Sequence, residues 1–276
     1  MPRLGVLGWP VAHSRSPAMH NAALAALGMD TWRYQRLPVP PELFDETARA
    51  LGAAGFLGAN VTIPHKQAAL ALAVQASTAA SQIGAANTLT FAEDGSVAAE
   101  NTDAPGLIAA LERSPRGQSV LVLGAGGSAR AAVWALREAG ASEVSVWNRT
   151  HERACSLAAD LGVRAVRAAE PADLLVNCTS VGLTDGAIER SATEQERLNQ
   201  LGLTFDQVGN YSYVVDFVYR STPTPLLAAA AAHGAGTLDG LEILVAQGAL
   251  SFALWTGVEP SLDVMRDAAR REDAAG

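Results

Sequence analysis

Side chains able to do chemistry gather at the loops and strand ends of the N-terminal part of the chain: Ser14, Ser16, Asn60, Thr62, Lys66, Asn87 and the run Asn101-Thr102-Asp103. Taken singly, each has a structural use. Ser16 before Pro17 reads as a helix N-cap, Asn60 and Asn87 can satisfy turns, and Lys66 fits a solvated helix face. Taken together they supply hydroxyls, amides, one cation and one carboxylate. That set suits a polyhydroxylated ring carrying a carboxylate group. His13, His20 and His65 lie in the same stretch without zinc-ligand spacing, so structural hydrogen bonds are expected of them and no metal is expected.

A second group follows the apolar run Ser119 to Gly124. Gly124-Ala125-Gly126-Gly127-Ser128-Ala129 is a G-x-G-x-x-A turn entering a helix. Gly124 permits the tight turn, Gly126 lets backbone approach a pyrophosphate, and Ala129 permits close packing of helix on strand. Gly127 and Ser128 open the helix, whose free N–H groups face the anion. The end of the next strand selects the dinucleotide. An NAD site usually places a carboxylate there to accept from the ribose 2′-hydroxyl, whereas this chain has Asn148-Arg149-Thr150 and then Arg153. Arg149 can pair with a 2′-phosphate and stack on adenine, so NADP is the expected cofactor. Glu152 reads as an acid placed at a helix N-terminus.

These groups need a scaffold of alternating elements. Strands are expected at Arg3 to Gly8, Thr31 to Val39 and Phe56 to Thr62, with helices from Ser16-Pro17 to Gly28, over Pro41 to Ala53 and from Pro64 onward. Asn87 to Phe91 and Val97 to Asn101 read as a hairpin around Glu93-Asp94-Gly95. Then come strand Ser119 to Gly124, helix Arg130 to Ala139, strand Glu143 to Asn148, helix Glu152 to Leu161, and strands Val163 to Ala168 and Leu174 to Cys178. This βαβαβ series predicts a doubly wound parallel sheet. The polar stretch Thr184 to Ser212, with a short helix near Thr193 to Leu201, reads as a surface insertion. Tyr213 to Tyr219 reads as a strand, Gly240 to Trp255 and Ser261 to Arg271 as helices, and Arg270 to Gly276 as a frayed end.

Composition narrows the classes. The chain has 276 residues, 49% hydrophobic and 17% charged, with a net charge of −8. That is a folded protein with a substantial core, in which an alanine-rich apolar set favours close helix packing. The acidic balance argues against nucleic acid or an anionic membrane as partner, and requires any anion site to be built locally. Cys155 and Cys178 form no ligand or redox motif and are expected to be reduced thiols. No apolar run is long enough to span a bilayer, and the N-terminus shows no signal core, so the expected location is cytoplasmic.

The N-terminal segment Gly8-Trp9-Pro10-Val11-Ala12-His13-Ser14-Arg15-Ser16-Pro17, with His20-Asn21, resembles the N-terminal signature of shikimate dehydrogenases. Asn60-Val61-Thr62-Ile63-Pro64-His65-Lys66 resembles that family's lysine motif. Gly84-Ala85-Ala86-Asn87-Thr88 and Asn101-Thr102-Asp103 are similar to its next two motifs. The nucleotide turn, Asn148-Arg149-Thr150, Asn177-Cys178-Thr179-Ser180-Val181-Gly182 and Asp239-Gly240-Leu241 through Gln247-Gly248-Ala249 complete the set in order. Tyr219-Arg220-Ser221 departs from it, since the family often has Tyr-x-Pro there.

The resemblance implies two α/β domains. The first is a substrate domain over residues 1–102, completed by C-terminal helices in 239–276; the second is a Rossmann-like NADP-binding domain over 103–238. It implies reversible reduction of 3-dehydroshikimate to shikimate by NADPH, in a monomer or homodimer. Ser14 and Ser16 would hold the substrate carboxylate, with Tyr219 nearby. Thr62, Asn87, Asp103 and Gln247 would bind ring hydroxyls, with Lys66 at the reacting oxygen. Thr179 and Gly240 would join Gly124, Gly126, Gly127, Ser128, Ala129, Asn148, Arg149, Thr150 and Arg153 at the cofactor.

Hydride addition to a ketone develops negative charge on oxygen, which calls for a proton donor within reach. Lys66 in the first turn of a helix is the expected acid/base, and Asp103 its partner. The alternatives are a paralogue acting on quinate or an aminoshikimate, a folate-pathway dehydrogenase of related design, and a non-catalytic NADP-binding regulator. Lys66 and Asp103 argue against the last.

Overall fold

The computed structural model describes residues 1–183 and 193–271. The stretch 184–192 of the polar segment and the expected frayed end at 272–276 lie outside the described residues. Two compact units account for the chain, one of residues 1–106 with 244–276 and the other of 107–243. The unit limits fall inside helices, the first within α5 (Asp103–Ala110) and the second within α11 (Gly240–Thr256).

The first unit is built on a six-stranded mixed sheet. Strands β1 (Arg3–Gly8), β2 (Arg33–Pro38) and β3 (Phe56–Val61) run parallel with β1 in the middle. β5 (Thr88–Phe91) pairs antiparallel with β3 and with β6 (Val97–Glu100), and the short β4 (Gln75–Ala76) closes the edge beside β6. The expected hairpin is therefore present as β5–β6. On one side lie α2 (Phe44–Leu51), α3 (Lys66–Leu72) and α4 (Thr78–Ile83), whose Phe44, Ala48, Leu51, Ala69, Leu72 and Ala80 share a core with Leu7, Ala59, Val61 and Leu89. On the other side a smaller core joins Leu4, Val6 and Tyr34 to Trp255 of α11. α12 (Leu262–Arg271) packs on α1 (Ser16–Ala26).

The second unit carries a six-stranded parallel sheet ordered β12-β11-β10-β7-β8-β9. Its strands are β7 (Ser119–Leu123), β8 (Glu143–Trp147), β9 (Arg164–Val166), β10 (Leu174–Asn177), β11 (Tyr213–Asp216) and β12 (Gly236–Leu238). Numbered within the unit, this is the 3-2-1-4-5-6 order of the doubly wound dinucleotide fold, with its switch point between β7 and β10. The two-residue period of the strands divides the core. Val120, Val122, Leu174, Val176 and Val215 face a layer with α6 (Gly127–Glu138) and α7 (His151–Leu161), while Leu121, Leu123, Leu175 and Val214 face the opposite layer.

That opposite layer corrects two readings. The segment read as a surface insertion folds into α8 (Glu194–Gln200) and α9 (Phe205–Val208), and Leu198, Leu201, Leu203, Val208 and Tyr211 are buried in the core. A parallel sheet needs both faces covered, and these residues cover the second with α10 (Pro225–Ala232). The expected helix near Thr193 to Leu201 is present, with Thr193 and Glu196 forming a capping box. The strand expected to reach Tyr219 ends instead at Asp216, whose carboxylate turns the chain by accepting from Val218 N–H at 3.0 Å. Among the described residues no helix is long and apolar enough to cross a membrane.

Candidate active site

In the first unit, the turn after β3 positions Lys66. Thr62 N–H donates to Leu7 C=O at 2.8 Å, and His65 N–H donates to Thr62 C=O at 2.9 Å. The His65 ring is fixed on both sides: it bonds Val39 C=O at 2.8 Å and stacks on Phe44 with centroids 4.5 Å apart. α3 then begins at Lys66, whose own carbonyl accepts from Ala86 N–H at 2.8 Å. Asp103 begins α5. Asn101 sets that start by accepting from Ala104 N–H at 3.1 Å and donating to Ala85 C=O at 2.8 Å.

The two starts bring Lys66 Nζ to 2.6 Å from Asp103 Oδ2, with both residues buried. Asn87 Nδ2 donates to Asp103 Oδ1 at 2.8 Å and lies 3.1 Å from Gln247 Oε1 on α11. Thr102 N–H donates to Asn87 Oδ1 at 2.7 Å, which fixes the amide with its N–H side toward the carboxylate. α11 comes this close because Gly106 lacks a side chain; a Cβ there would sit 2.7 Å from Gln247 Cβ. Four of the expected site residues thus form one hydrogen-bonded cluster. A buried ion pair of this kind tolerates loss of one partner poorly, because the other charge is left without compensation.

Ser14 and Ser16 form a separate group at the entrance of α1. Both are buried, Ser14 Oγ accepts from Ser16 N–H at 3.3 Å, and Arg36 donates twice to Ser14 C=O. Ser16 is the first residue of the helix rather than its cap, and Arg15 takes the cap position without capping the helix through its side chain. Ser14, just before the cap, supplies the hydroxyl acceptor. Thr62, half-buried, presses its methyl on Gly8, where a Cβ would come within 2.4 Å.

The histidines divide. His65 makes the structural bond expected of it. His20 does not: it is fully buried, neither ring nitrogen has a hydrogen-bond partner, and its ring stacks on Tyr34 at 4.2 Å. Burial holds its pKa far below the ordinary value, at about 3. His13 is also lowered, by burial first and then by the Arg36 charge.

In the second unit, Gly124 adopts φ +111°, which L side chains rarely adopt, and a Cβ there would make a tight 3.3 Å contact with the Cys178 carbonyl. Gly126 takes the cap position of α6 without a side-chain cap, and no acidic residue occupies the first turn through Gly127 and Ser128. Ala129 is fully buried in the core. Asn148 folds back on Thr150 C=O at 2.8 Å, and Thr150 caps α7, again without a side-chain bond. Arg149, Thr150 and Arg153 are exposed around that start.

These features fit NADP. Two helix N-termini keep their N–H donors for anions, and arginines rather than a carboxylate follow β8. Thr179 donates to Asn177 Oδ1 at 2.8 Å, and Gly240 approaches Phe217 C=O so closely that a Cβ would meet it at 2.2 Å. Tyr219 belongs to this unit, half-buried beyond β11.

Sequence reasoning missed two sets of residues. Asn177 Nδ2 and Thr224 Oγ1 donate to the fully buried Asp216 at 2.8 and 2.7 Å; burial pushes its carboxyl up to about 6 against those bonds. Thr224 followed by Pro225 was the available signal, an N-cap and first-turn pair for α10. Behind Asn87 lie Thr88 and Ser251, both fully buried. Ser251, one turn after Gln247 in an apolar helix, marks the side of α11 that faces polar groups.

A Gly-rich turn opening α6 on a 3-2-1-4-5-6 sheet, and a lysine–carboxylate pair in a separate α/β unit, define a dinucleotide-dependent dehydrogenase with distinct nucleotide and polar-site units. Comparison with known proteins makes this specific. Residues 6–89 match the shikimate dehydrogenase substrate binding domain, 109–200 the shikimate/quinate 5-dehydrogenase model, and 240–270 the shikimate 5′-dehydrogenase C-terminal domain. The shikimate dehydrogenase (NADP(+)) of Thermus thermophilus is 45% identical over 275 residues, covering 98% of each chain. That of Methanothermobacter thermautotrophicus is 41% identical over 281 residues, 97% of this chain and 95% of its own. A crystal structure of a Thermus thermophilus shikimate 5-dehydrogenase, in complex with NADP(H) and shikimate, superposes with a TM-score of 0.84 at 44% identity. The match covers 98% of this chain and 99% of that one. The chain belongs to the shikimate dehydrogenase family.

Proposed function

We propose that this protein catalyses the reversible, NADPH-dependent reduction of 3-dehydroshikimate to shikimate, a step of aromatic amino acid biosynthesis, with Lys66 as acid/base. The observation that carries the assignment of roles is the buried Lys66–Asp103 pair at 2.6 Å, braced by Asn87, which in turn bonds Gln247. NADPH, when bound, supplies the hydride to the ring carbonyl carbon. Lys66 Nζ gives a proton to the oxygen as charge develops there, and takes it back in the reverse direction. Asp103 orients the ammonium through Oδ2, while Asn87 holds Oδ1.

Ser14 and Ser16 bind the substrate carboxylate with Tyr219, and Thr62, Asn87, Asp103 and Gln247 select the ring hydroxyls. Gly124, Gly126, Gly127, Ser128 and Ala129 seat the pyrophosphate at α6. Asn148, Arg149, Thr150 and Arg153 take the adenosine 2′-phosphate, with Thr179 and Gly240 completing the cofactor site. The working setting is the cytoplasm, with small-molecule partners alone and a monomer or homodimer as the unit. Two cysteines outside any disulfide and a net charge of −8 support that setting.

The test is spectrophotometric: NADP reduction with shikimate, with quinate and NAD as comparators. Turnover is expected with shikimate and NADP, and falls sharply when either comparator replaces its counterpart. No turnover with shikimate and NADP would overturn the reading.

A further inference from the structure

Asn87 can serve Asp103 only if its amide faces the right way, since a flipped amide would set its oxygen against the carboxylate. β5 begins one residue later, at Thr88, which pairs across the sheet with Asn60 of β3. Both side chains meet Ser251 of α11. Asn60 Nδ2 lies 2.8 Å from Ser251 Oγ and 3.2 Å from Thr88 Oγ1, and the two hydroxyls lie 3.0 Å apart. Thr102 Oγ1 joins them at 3.1 Å from Ser251 and 3.2 Å from Thr88. At the far end Tyr34 OH donates to Asn60 Oδ1 at 2.8 Å.

A hydroxyl has one proton and two lone pairs, so the directions of these bonds are constrained. Ser251 donates to Gln247 C=O, one turn back, at 3.1 Å. Its lone pairs then receive Asn60 Nδ2 and one of the two hydroxyls within reach, Thr88 at 3.0 Å or Thr102 at 3.1 Å. The other hydroxyl donates to Asn87 Oδ1, which lies 3.2 Å from each, on the same oxygen that accepts from Thr102 N–H. The Ser251 proton therefore points toward the backbone carrying Gln247, and the Thr88 and Thr102 protons are divided between Ser251 Oγ and Asn87 Oδ1. The result is an Asn87 amide with its oxygen doubly occupied and its N–H side committed to Asp103. Thr88 and Ser251 are fully buried, so no water competes for these bonds.

We infer that the Thr88 and Ser251 hydroxyls are positioning groups for the reaction, setting the Asn87 side chain that holds Asp103. The inference rests on the proposed role of the Lys66–Asp103 pair. Thr88→Val removes the hydroxyl and keeps the shape, whereas Thr88→Ser keeps the hydroxyl and removes the methyl. If the hydroxyl positions Asn87, Thr88→Val lowers kcat for shikimate oxidation by about tenfold, and Thr88→Ser stays within about twofold, with KM for NADP unchanged in both. Ser251→Ala, which retains helix propensity, lowers kcat by a similar factor and stands in should Thr88→Val fail to fold.

A kcat for Thr88→Val or Ser251→Ala within about twofold of the unsubstituted enzyme overturns the inference. So does an equal loss in Thr88→Val and Thr88→Ser, which would make the effect one of packing. Lys66→Ala run in parallel separates the two levels. Its collapse beside a fully active Thr88→Val removes only the positioning role, while retained turnover in Lys66→Ala removes the acid/base assignment itself.

Discussion

Asp103 and Asp216 are both buried carboxylates, one in each unit, and they are held in opposite ways. Asp103 begins a helix and meets an ammonium at 2.6 Å, with an amide N–H on its second oxygen. Asp216 ends a strand and receives three neutral donors, from Asn177, Thr224 and the Val218 backbone. Burial pushes the Asp216 carboxyl up to about 6 in spite of those bonds, with the Asp239 charge adding to the rise. The neutral donors oppose that rise at Asp216 without cancelling it, whereas Asp103 has an opposite charge in direct contact. The first arrangement suits proton transfer, and the second shapes a loop.

The comparison is broken most severely at Lys66. Lys66→Ala leaves Asp103 buried with neutral donors alone, as Asp216 is. Loss of a general acid/base should lower kcat by roughly a thousandfold, with KM for shikimate changed much less. Steady-state kinetics in both directions checks this, and retained turnover would return Lys66 to a structural role.

Asp216→Asn sharpens the comparison from the other side. Between the unfolded value of 3.8 and about 6, folded Asp216 holds a proton that the unfolded chain has lost. The stability this contributes is full below 3.8 and is lost as pH rises through about 6. From those two values the loss is roughly 3 kcal/mol. His20 acts with the opposite sign, because its folded value of about 3 lies below the unfolded 6.5; its contribution is full above 6.5 and lost as pH falls. Denaturant unfolding of both proteins from about pH 4 to 7 should therefore be read as a difference. The asparagine variant is expected to gain on the parent by about that amount as pH rises. An identical pH slope would show that Asp216 is ionised throughout.

The smallest effect lies in nucleotide binding. Arg149→Asp places a carboxylate where NAD enzymes carry one and should raise KM for NADPH more than about tenfold while kcat holds within about twofold. An unchanged KM would move 2′-phosphate recognition to Arg153 or to backbone.

Much of this was legible in the sequence, for identifiable reasons. The run Ser119 to Leu123 is apolar on both faces, which only a covered parallel strand requires, and Gly124 through Ala129 follows it directly. Lys66, Asn87 and Asp103 stood out because polar types at strand ends are unusual together. The failures also have causes. Leu198, Leu201, Leu203, Val208 and Tyr211 are spread thinly through a polar stretch, so composition hid the half of the core they complete. Pro225–Ala232 is apolar all round and shows no helical stripe, which left Thr224-Pro225 as its mark. Thr88 and Ser251 are small residues beside larger signals. Their partners come from β3, β5 and α11, and a contact across such separations leaves no local pattern.

The interruption of the first unit by the second has a consequence for biosynthesis. Residues 107–243 are continuous, so the nucleotide unit holds its entire sequence once that stretch has left the ribosome. The other unit begins earlier and must wait, because Gln247, Ser251, Trp255 and the helix packed on α1 all belong to its return segment. Until then β1 lacks the Trp255 cover of one core and Asn87 lacks its Gln247 partner. The unit translated first is therefore finished last, and its lysine–carboxylate cluster is assembled only as the final stretch of chain is delivered.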